Sequence, residues 1–289
     1  MSQRDHHSLD RHALEALVEQ LFPIAADQLP PEAEQVVVTL LGALESGVIR
    51  AAEQDAAGDW HAVPWVKRGI LLGFRVGRIV SHGIEGTPFH FFDKHTYPTR
   101  PLTLADNVRV VPGGSSIRRG AYLAPGVVCM PPMFVNVGSW VGAGTMIDSH
   151  ALVGSCAQIG ARVHLSAAAQ IGGVLEPVNA SPVVIEDDVL IGGNCGVYEG
   201  TVVREKAVLA AGVILTRGTP VFDLVREQVY RGTAERPLEI PVGAVVVPGA
   251  RAVKGGFAAA EGLSLQTPLI VKYRDERTDL ATALEGWLR

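Results

Sequence analysis

Asp148 is one of three charged residues between Gly120 and Ile185, with Arg162 and Glu176. A carboxylate isolated in an uncharged tract can orient or deprotonate an amine, or it can cap a turn by accepting backbone N–H groups. Glu176, in VLEP, and Glu199, in YEG, have the same chemical capacity, and each also reads as a solvated turn residue. His150 and His164 add imidazoles, the usual side chains for a base near neutral pH or for a metal ligand. Two histidines without a third ligand in the same spacing do not make a zinc site, so no metal is expected. Cys129, Cys156 and Cys195 are an odd number in a chain too large to need disulfide staples. They read as small apolar fillers in a protein of the reducing cytoplasm.

The elements that must carry these groups are constrained by composition. The chain has 289 residues, 47% hydrophobic and 19% charged, with 32 glycines and 18 prolines, which means one large domain or two ordinary ones, rich in turns and not a coiled coil. A net charge of −5 lacks the basic surface that nucleic acid or an anionic membrane requires. The opening MSQRDHHSLDRH has no apolar stretch behind its charges, so a secretory signal is not expected. Gly120 to Ile147 is 28 residues without charge, longer than the roughly 20 a membrane helix needs. Pro125, Pro131, Pro132 and five glycines there are incompatible with a helix.

A six-residue period explains that tract. From Val111, every sixth residue is apolar through Ile117, Leu123, Cys129, Val135, Val141, Ile147, Val153, Ile159, Leu165 and Ile171. After two extra residues the step resumes at Ile185 and runs to Val221. The residue four places after each is usually small, as in Ala121, Ser139, Ala151, Ala157, Ala169 and Ala207. Hexapeptides of this kind predict a parallel β-helix, in which short strands and turns stack into triangular coils around one apolar column. Residues 105–226 supply between six and seven coils, with IPVGAV (from Ile240) and VVPGAR (from Val246) as further pieces. Three charges from Gly120 to Ile185 are too few for a solvated surface, which points to prism faces packed between copies in a homotrimer.

The flanks differ. Leu14, Leu17, Val18 and Leu21 behind a Ser8 cap, and Val36, Val37, Leu40, Leu41 and Leu44 up to Gly47, have helical spacing. Val48 to Arg75 reads as β-like, TYPTRP as a Pro-bounded linker, DLVREQVYR as a helix within the 219–239 loop, LIVKYR as a strand and TDLATALEGWLR as a closing helix. The expected organisation is an N-terminal helical or α+β domain over 1–100, the β-helix over 101–252 and a strand-helix extension over 253–289.

With those motifs in hand, the chain resembles the tetrahydrodipicolinate N-succinyltransferases. The resemblance is carried by WVKRGILLGFRVG, RVVPGG, GAYLAPGVVCMPP, FVNVGSWVGAGTMIDSHALVGSCAQIGARVHLS, IGGVLEP and VVIEDDVLIGG, which together span most of the chain. It implies a left-handed β-helix and transfer of succinyl from succinyl-CoA, a co-substrate, to the amine of ring-opened tetrahydrodipicolinate, with no permanently bound cofactor and sites between neighbouring subunits. It matches Asp148 to an acidic residue of substrate binding and catalysis, Arg109 to an arginine contacting a substrate carboxylate, and Glu199 to a further glutamate. The sequence departs where the family has a catalytic glutamate, since Gly196 stands there, leaving Glu199 or Glu176 as the second acid. For CoA it implies small residues along the prism and cations near the last coils: Gly173, Ala210, Ala211, Gly212, Arg217, Arg251 and Lys254. Any one of the small residues also reads as a tight corner of the repeat. The alternatives are the corresponding N-acetyltransferase or another hexapeptide acyltransferase, and a non-catalytic solenoid scaffold, because the repeat alone implies no chemistry.

Overall fold

The computed structural model describes residues 10–83, 86–87, 90–233 and 236–274. Its centre is the expected parallel β-helix. Two-residue strands each pair in parallel with the third strand after them, as Trp140 with Gln158, Met146 with His164 and Leu152 with Gln170. Three flat faces result. The first begins with Arg109–Val110, the second with Ser116–Ile117 and the third with Tyr122–Leu123; among the described residues the second and third are six-stranded. The six-residue column points inward as its spacing requires: Ile147, Val153, Ile159, Leu165 and Ile171 are each 0% exposed, and the column continues from Ile185 to Val221. No coil can bury this column alone, so each depends on its neighbours.

The corners between faces need a left-handed backbone. Gly120, Gly126, Gly138 and Gly144 supply it early, and His150, Cys156, Arg162 and Ala168 adopt it at the same six-residue spacing. The two-residue interruption of the register is a loop over 172–182, after which Val184–Ile185 rejoins the third face against Gln158–Ile159.

Two helices precede the prism, α1 (Arg11–Leu21) and α2 (Glu32–Glu45), as their periodicity predicts. The N-cap of α1 is Asp10, whose Oδ1 accepts from the His12 and Ala13 amides; Ser8 lies outside the described residues. The β-like reading of Val48 to Arg75 holds only for a hairpin, Ala52–Gln54 with Trp60–Ala62. Pro64–Val76 is a helix, α3, opened by Pro64 in its first turn. Its glycines hid the helical pattern, since Gly69 and Gly73 are themselves packing positions: a Cβ would stand 2.3 Å from Leu40 Cδ2 at the first and 2.3 Å from Tyr97 Oη at the second. Tyr97 is therefore no free linker, being 2% exposed with its hydroxyl donating to the Ile70 carbonyl at 2.5 Å.

This N-terminal unit covers the third face. Arg50 stacks 4.0 Å from the Trp140 ring and donates to Gln158 Oε1 at 3.0 Å, while Trp60 Nε1 donates to Glu186 Oε1 at 2.9 Å. Part of the charge-poor tract is thus covered by the chain itself. Burial pushes the Arg50 guanidinium down to about 10. Lys67 of α3, fully buried, donates its Nζ to the Ala180 carbonyl, tying α3 to the 172–182 loop.

Past the last coils, DLVREQVYR is not helical. Val221–Asp223 and Gln228–Tyr230 form an antiparallel hairpin, because the Asp223 carboxylate captures the Val225 and Arg226 amides at 2.9 and 3.0 Å and so turns the chain. The strand expected at LIVKYR is present as Leu269–Tyr273, which pairs with Ala244–Val247 and extends the first face. VVPGAR leaves the coil after Val247, and its end forms an outlying hairpin, Ala250–Ala252 with Ser264–Gln266. The closing helix expected over 278–289 lies outside the described residues.

Candidate active site

The coil's geometry sorts the candidate residues onto two corners. Asp148 follows the first-face strand Met146–Ile147 and opens the corner leading to the second face. Its amide donates to the Leu165 carbonyl in the coil ladder, and its Oδ1 accepts from the Ser149 amide at 2.7 Å. The turn-capping role is therefore real. It occupies only one oxygen, however, and Oδ2 stands 3.9 Å from Nε2 of His164, one coil further on. His164 is an outward position of the first face, directly below Met146. Sequence reasoning left its role open; the parallel pairing, which brings residues 146 and 164 into register, is what joins it to Asp148.

The same corner then runs down the prism through small residues. Successive coils contribute Ser166 to Ala168, Gly192 to Asn194 and Ala210 to Gly212. Below them, Pro248 reaches within 3.9 Å of a Cβ placed on Gly212, and the outlying hairpin with exposed Arg251, followed by exposed Lys254, begins there. Three coils of about 4.8 Å separate Asp148 from Ala210, so the edge is on the order of 14 Å long before the cations begin. His150 shares the Asp148 turn, exposed and with φ 62°.

Glu199 lies elsewhere. It follows Gly196–Val197 and turns the chain from the second face to the third, with φ 54° and Gly200 at 73°. A non-glycine residue in this backbone region is strained unless its surroundings hold it. Here Glu199 Oε2 accepts from the Arg217 amide of the next coil at 3.0 Å. The residue lines two clefts: one of about 430 Å³ with Gly172, Gly173, Tyr198 and Thr216, and one of about 300 Å³ with Ser181, Arg217 and Arg236. Gly173 is glycine for a packing reason, since its Cβ would meet Ser155 N at 2.2 Å. Among the described residues the buried Nε of Arg217 has no hydrogen-bond partner, and Arg236, which the sequence reading missed, brings a second guanidinium to the same cleft. No sequence signal marks Arg236, because the loop that returns it to the prism is irregular. Glu176 is exposed on the 172–182 loop.

Arg109 stands apart from both clefts, on the outer side of the first face two strands before Met146–Ile147, beside a shallow cleft of about 250 Å³ lined by Leu104, Asn107 and Gly126. The structure thus joins Asp148, His164, Ala210, Ala211 and Gly212 along one corner, and Gly173, Glu199 and Arg217 along the next, with the second face between. Gly196 is on that intervening face. Among the described residues no group of three His, Cys, Asp or Glu side chains could hold a metal ion, and no helix is long and apolar enough to cross a membrane. The three cysteines are buried and free, and burial pushes the Cys129 and Cys156 thiols up to about 12.

Curated relatives match this chain over most of its length. The family model described as tetrahydrodipicolinate N-succinyltransferase N-terminal matches residues 13–76, and one described as hexapeptide repeat of succinyl-transferase matches 182–217. The chain is 38% identical over 283 residues to the 2,3,4,5-tetrahydropyridine-2,6-dicarboxylate N-succinyltransferase of Polynucleobacter asymbioticus, covering 95% of this chain and 98% of that one. It is 42% identical over 266 residues to the enzyme of that name from Bradyrhizobium diazoefficiens, covering 89% and 90%. A solved structure of a putative 2,3,4,5-tetrahydropyridine-2-carboxylate N-succinyltransferase from Campylobacter jejuni aligns over 86% of this chain and 64% of that one, at 16% identity and a TM-score of 0.49.

Proposed function

This chain belongs to the tetrahydrodipicolinate N-succinyltransferase family, and from that premise we propose that it moves the succinyl group of succinyl-CoA to the amine of ring-opened tetrahydrodipicolinate in a groove formed between copies of the chain. The products are N-succinyl-2-amino-6-oxopimelate and CoA. The amine attacks the thioester carbonyl, the carbonyl oxygen becomes an oxyanion, and collapse expels the CoA sulfur, which takes up a proton while the amine loses one. The step needs a proton acceptor for the amine, donors for the oxyanion and cations for the acceptor's carboxylates. Asp148 is the acid that orients and deprotonates the amine, Glu199 is the second carboxylate, and Arg109 binds an acceptor carboxylate as a planar two-pronged donor.

The observation that carries this reading is the Asp148–His164 contact of 3.9 Å at the head of a corner edge built from small residues. Such an edge leaves room for the narrow pantetheine arm of CoA, with Ala210, Ala211 and Gly212 along it and Arg251 and Lys254 near the phosphates. Support for a groove shared by copies comes from the corners themselves: Asp148 and Glu199 occupy different corners of one prism, so a site using both draws them from two chains. A homotrimer places each corner beside a neighbour's. Gly173 and Arg217, on the Glu199 corner, then face the acyl donor from across the groove. Nothing in the mechanism calls for a resident cofactor, and the buried free thiols suit a reducing cytoplasm.

Thiol release by the purified protein tests the reading, with succinyl-CoA or acetyl-CoA and with or without tetrahydrodipicolinate. The expected result is release that requires the acceptor and is faster with succinyl-CoA. Preference for acetyl-CoA would turn the reading to N-acetyl transfer, and no acceptor-dependent release from either would end it.

A further inference from the structure

Gly172, just after the second-face strand Gln170–Ile171, and Gly196, within the next strand of that face, are glycines for a reason their backbones do not supply. Neither has a positive φ, so any residue could adopt their conformation. What bars a side chain at both is one ring. A Cβ on Gly196 would stand 2.5 Å from Cε2 and 2.9 Å from Oη of Tyr198, and a Cβ on Gly172 would stand 2.8 Å from its Cδ1. Tyr198 thus lies across two neighbouring coils and runs back along its own strand, away from the Glu199 corner, until its hydroxyl ends over Gly196. The ring lines the cleft of about 430 Å³ that Glu199 and Thr216 also border.

Apart from Tyr198, the side-chain donor bordering that cleft is otherwise engaged. Thr216 Oγ1 pairs with Thr219 Oγ1 at 2.8 Å, and the neighbouring Arg217 amide is spent on Glu199 at 3.0 Å. The Tyr198 hydroxyl makes no hydrogen bond among the described residues. A half-buried phenol with an uncommitted proton is a donor waiting for an acceptor-only group, and an ionised carboxylate is such a group. We propose that Tyr198 is a substrate-positioning residue whose hydroxyl donates a hydrogen bond to a carboxylate of the dicarboxylate acyl acceptor, and that Gly172 and Gly196 are glycine to seat its ring.

The proposal rests on the succinyl-transfer reading. Tyr198→Phe keeps the ring and removes only the donor, so steady-state kinetics should show the KM for the acceptor raised about 10- to 100-fold, the scale of a lost hydrogen bond to a charged group. The KM for succinyl-CoA and the thermal midpoint should be unchanged, which a merely structural role for the hydroxyl does not predict. Gly196→Ala, whose methyl displaces the ring, should raise the same KM, and combining it with Tyr198→Phe should raise it little further. An unaltered acceptor KM in Tyr198→Phe, beside an active wild type, would overturn this proposal alone, as would fully additive effects in the double variant. A wild type that transfers no succinyl group to the acceptor would overturn both readings together.

Discussion

At the residue scale, the division of labour on Asp148 is the feature with the most consequences. One oxygen caps its own turn through the Ser149 amide and the other faces His164. Asp148→Asn retains the shape and an oxygen to accept that amide, but removes the charge and the basicity. We expect kcat to fall by about 10² to 10⁴, the usual scale for loss of a general base, with the thermal midpoint nearly unchanged. Near-normal kcat in that variant would remove Asp148 from proton transfer. Arg109, exposed and away from the corner edges, is expected to act on binding. Arg109→Ala should raise the acceptor KM by about 10- to 100-fold and leave the KM for succinyl-CoA alone, because a charge-assisted pair with a carboxylate is worth about 1.5–3 kcal/mol.

At the element scale, the late hairpin and the strand Leu269–Tyr273 are locked by one buried carboxylate. Asp223, 2% exposed, accepts from the Val225 and Arg226 amides and from the Tyr273 hydroxyl at 2.5 Å. Burial opposes its ionisation, but these hydrogen bonds outweigh it and hold the carboxyl below its ordinary value of 3.8. A carboxyl whose folded pKa is depressed stabilises the protein fully above the unfolded value, and that contribution is lost as the pH falls through the folded one. Thermal midpoints of wild type and Asp223→Asn should therefore differ most at neutral pH and converge below about pH 4. A gap that persists at pH 2 would mean that shape, not charge, holds the hairpin. In the coils themselves, Leu165→Ala should cost about 2–5 kcal/mol by chemical denaturation, since the column is closed on every side and a cavity there has no neighbour free to fill it.

At the scale of the whole molecule, the second face separates the two acids, and this makes the assembly testable through activity. Mixing Asp148→Asn and Glu199→Gln chains under conditions that exchange subunits should restore activity neither variant has alone. Random assembly of equal amounts into a trimer gives each groove about a one-in-four chance of receiving an intact acid from each side. Light scattering or sedimentation should report three chains per particle. Absence of complementation, with exchange verified, would return both acids to separate roles.

How much of this was legible follows from what kind of signal each feature leaves. The β-helix, its inward column and its interruption at 172–182 were written in the six-residue period, because a stacked coil repeats its environment and so imposes the same residue type at each turn. The isolation of Asp148 was equally visible as a lone charge in that tract, whereas Gly196 stood out only against the glutamate that the family resemblance implies there. The helix α3 was not, because Gly69 and Gly73 contribute by absence of a side chain, and a contact between helices has no local period. The same holds for the Asp223 hairpin, where a single side chain captures two amides and overrides a helical spacing. His164 became Asp148's neighbour only when parallel pairing set one coil on the next, and Tyr198 gained its place only when its ring lay over two glycines from different coils. Sequence by itself determined the repeating architecture, whose constraint recurs at a fixed interval along the chain. Tertiary structure alone decided the corners on which the acids stand and the partners they meet, because those depend on contacts between residues that no local spacing brings together.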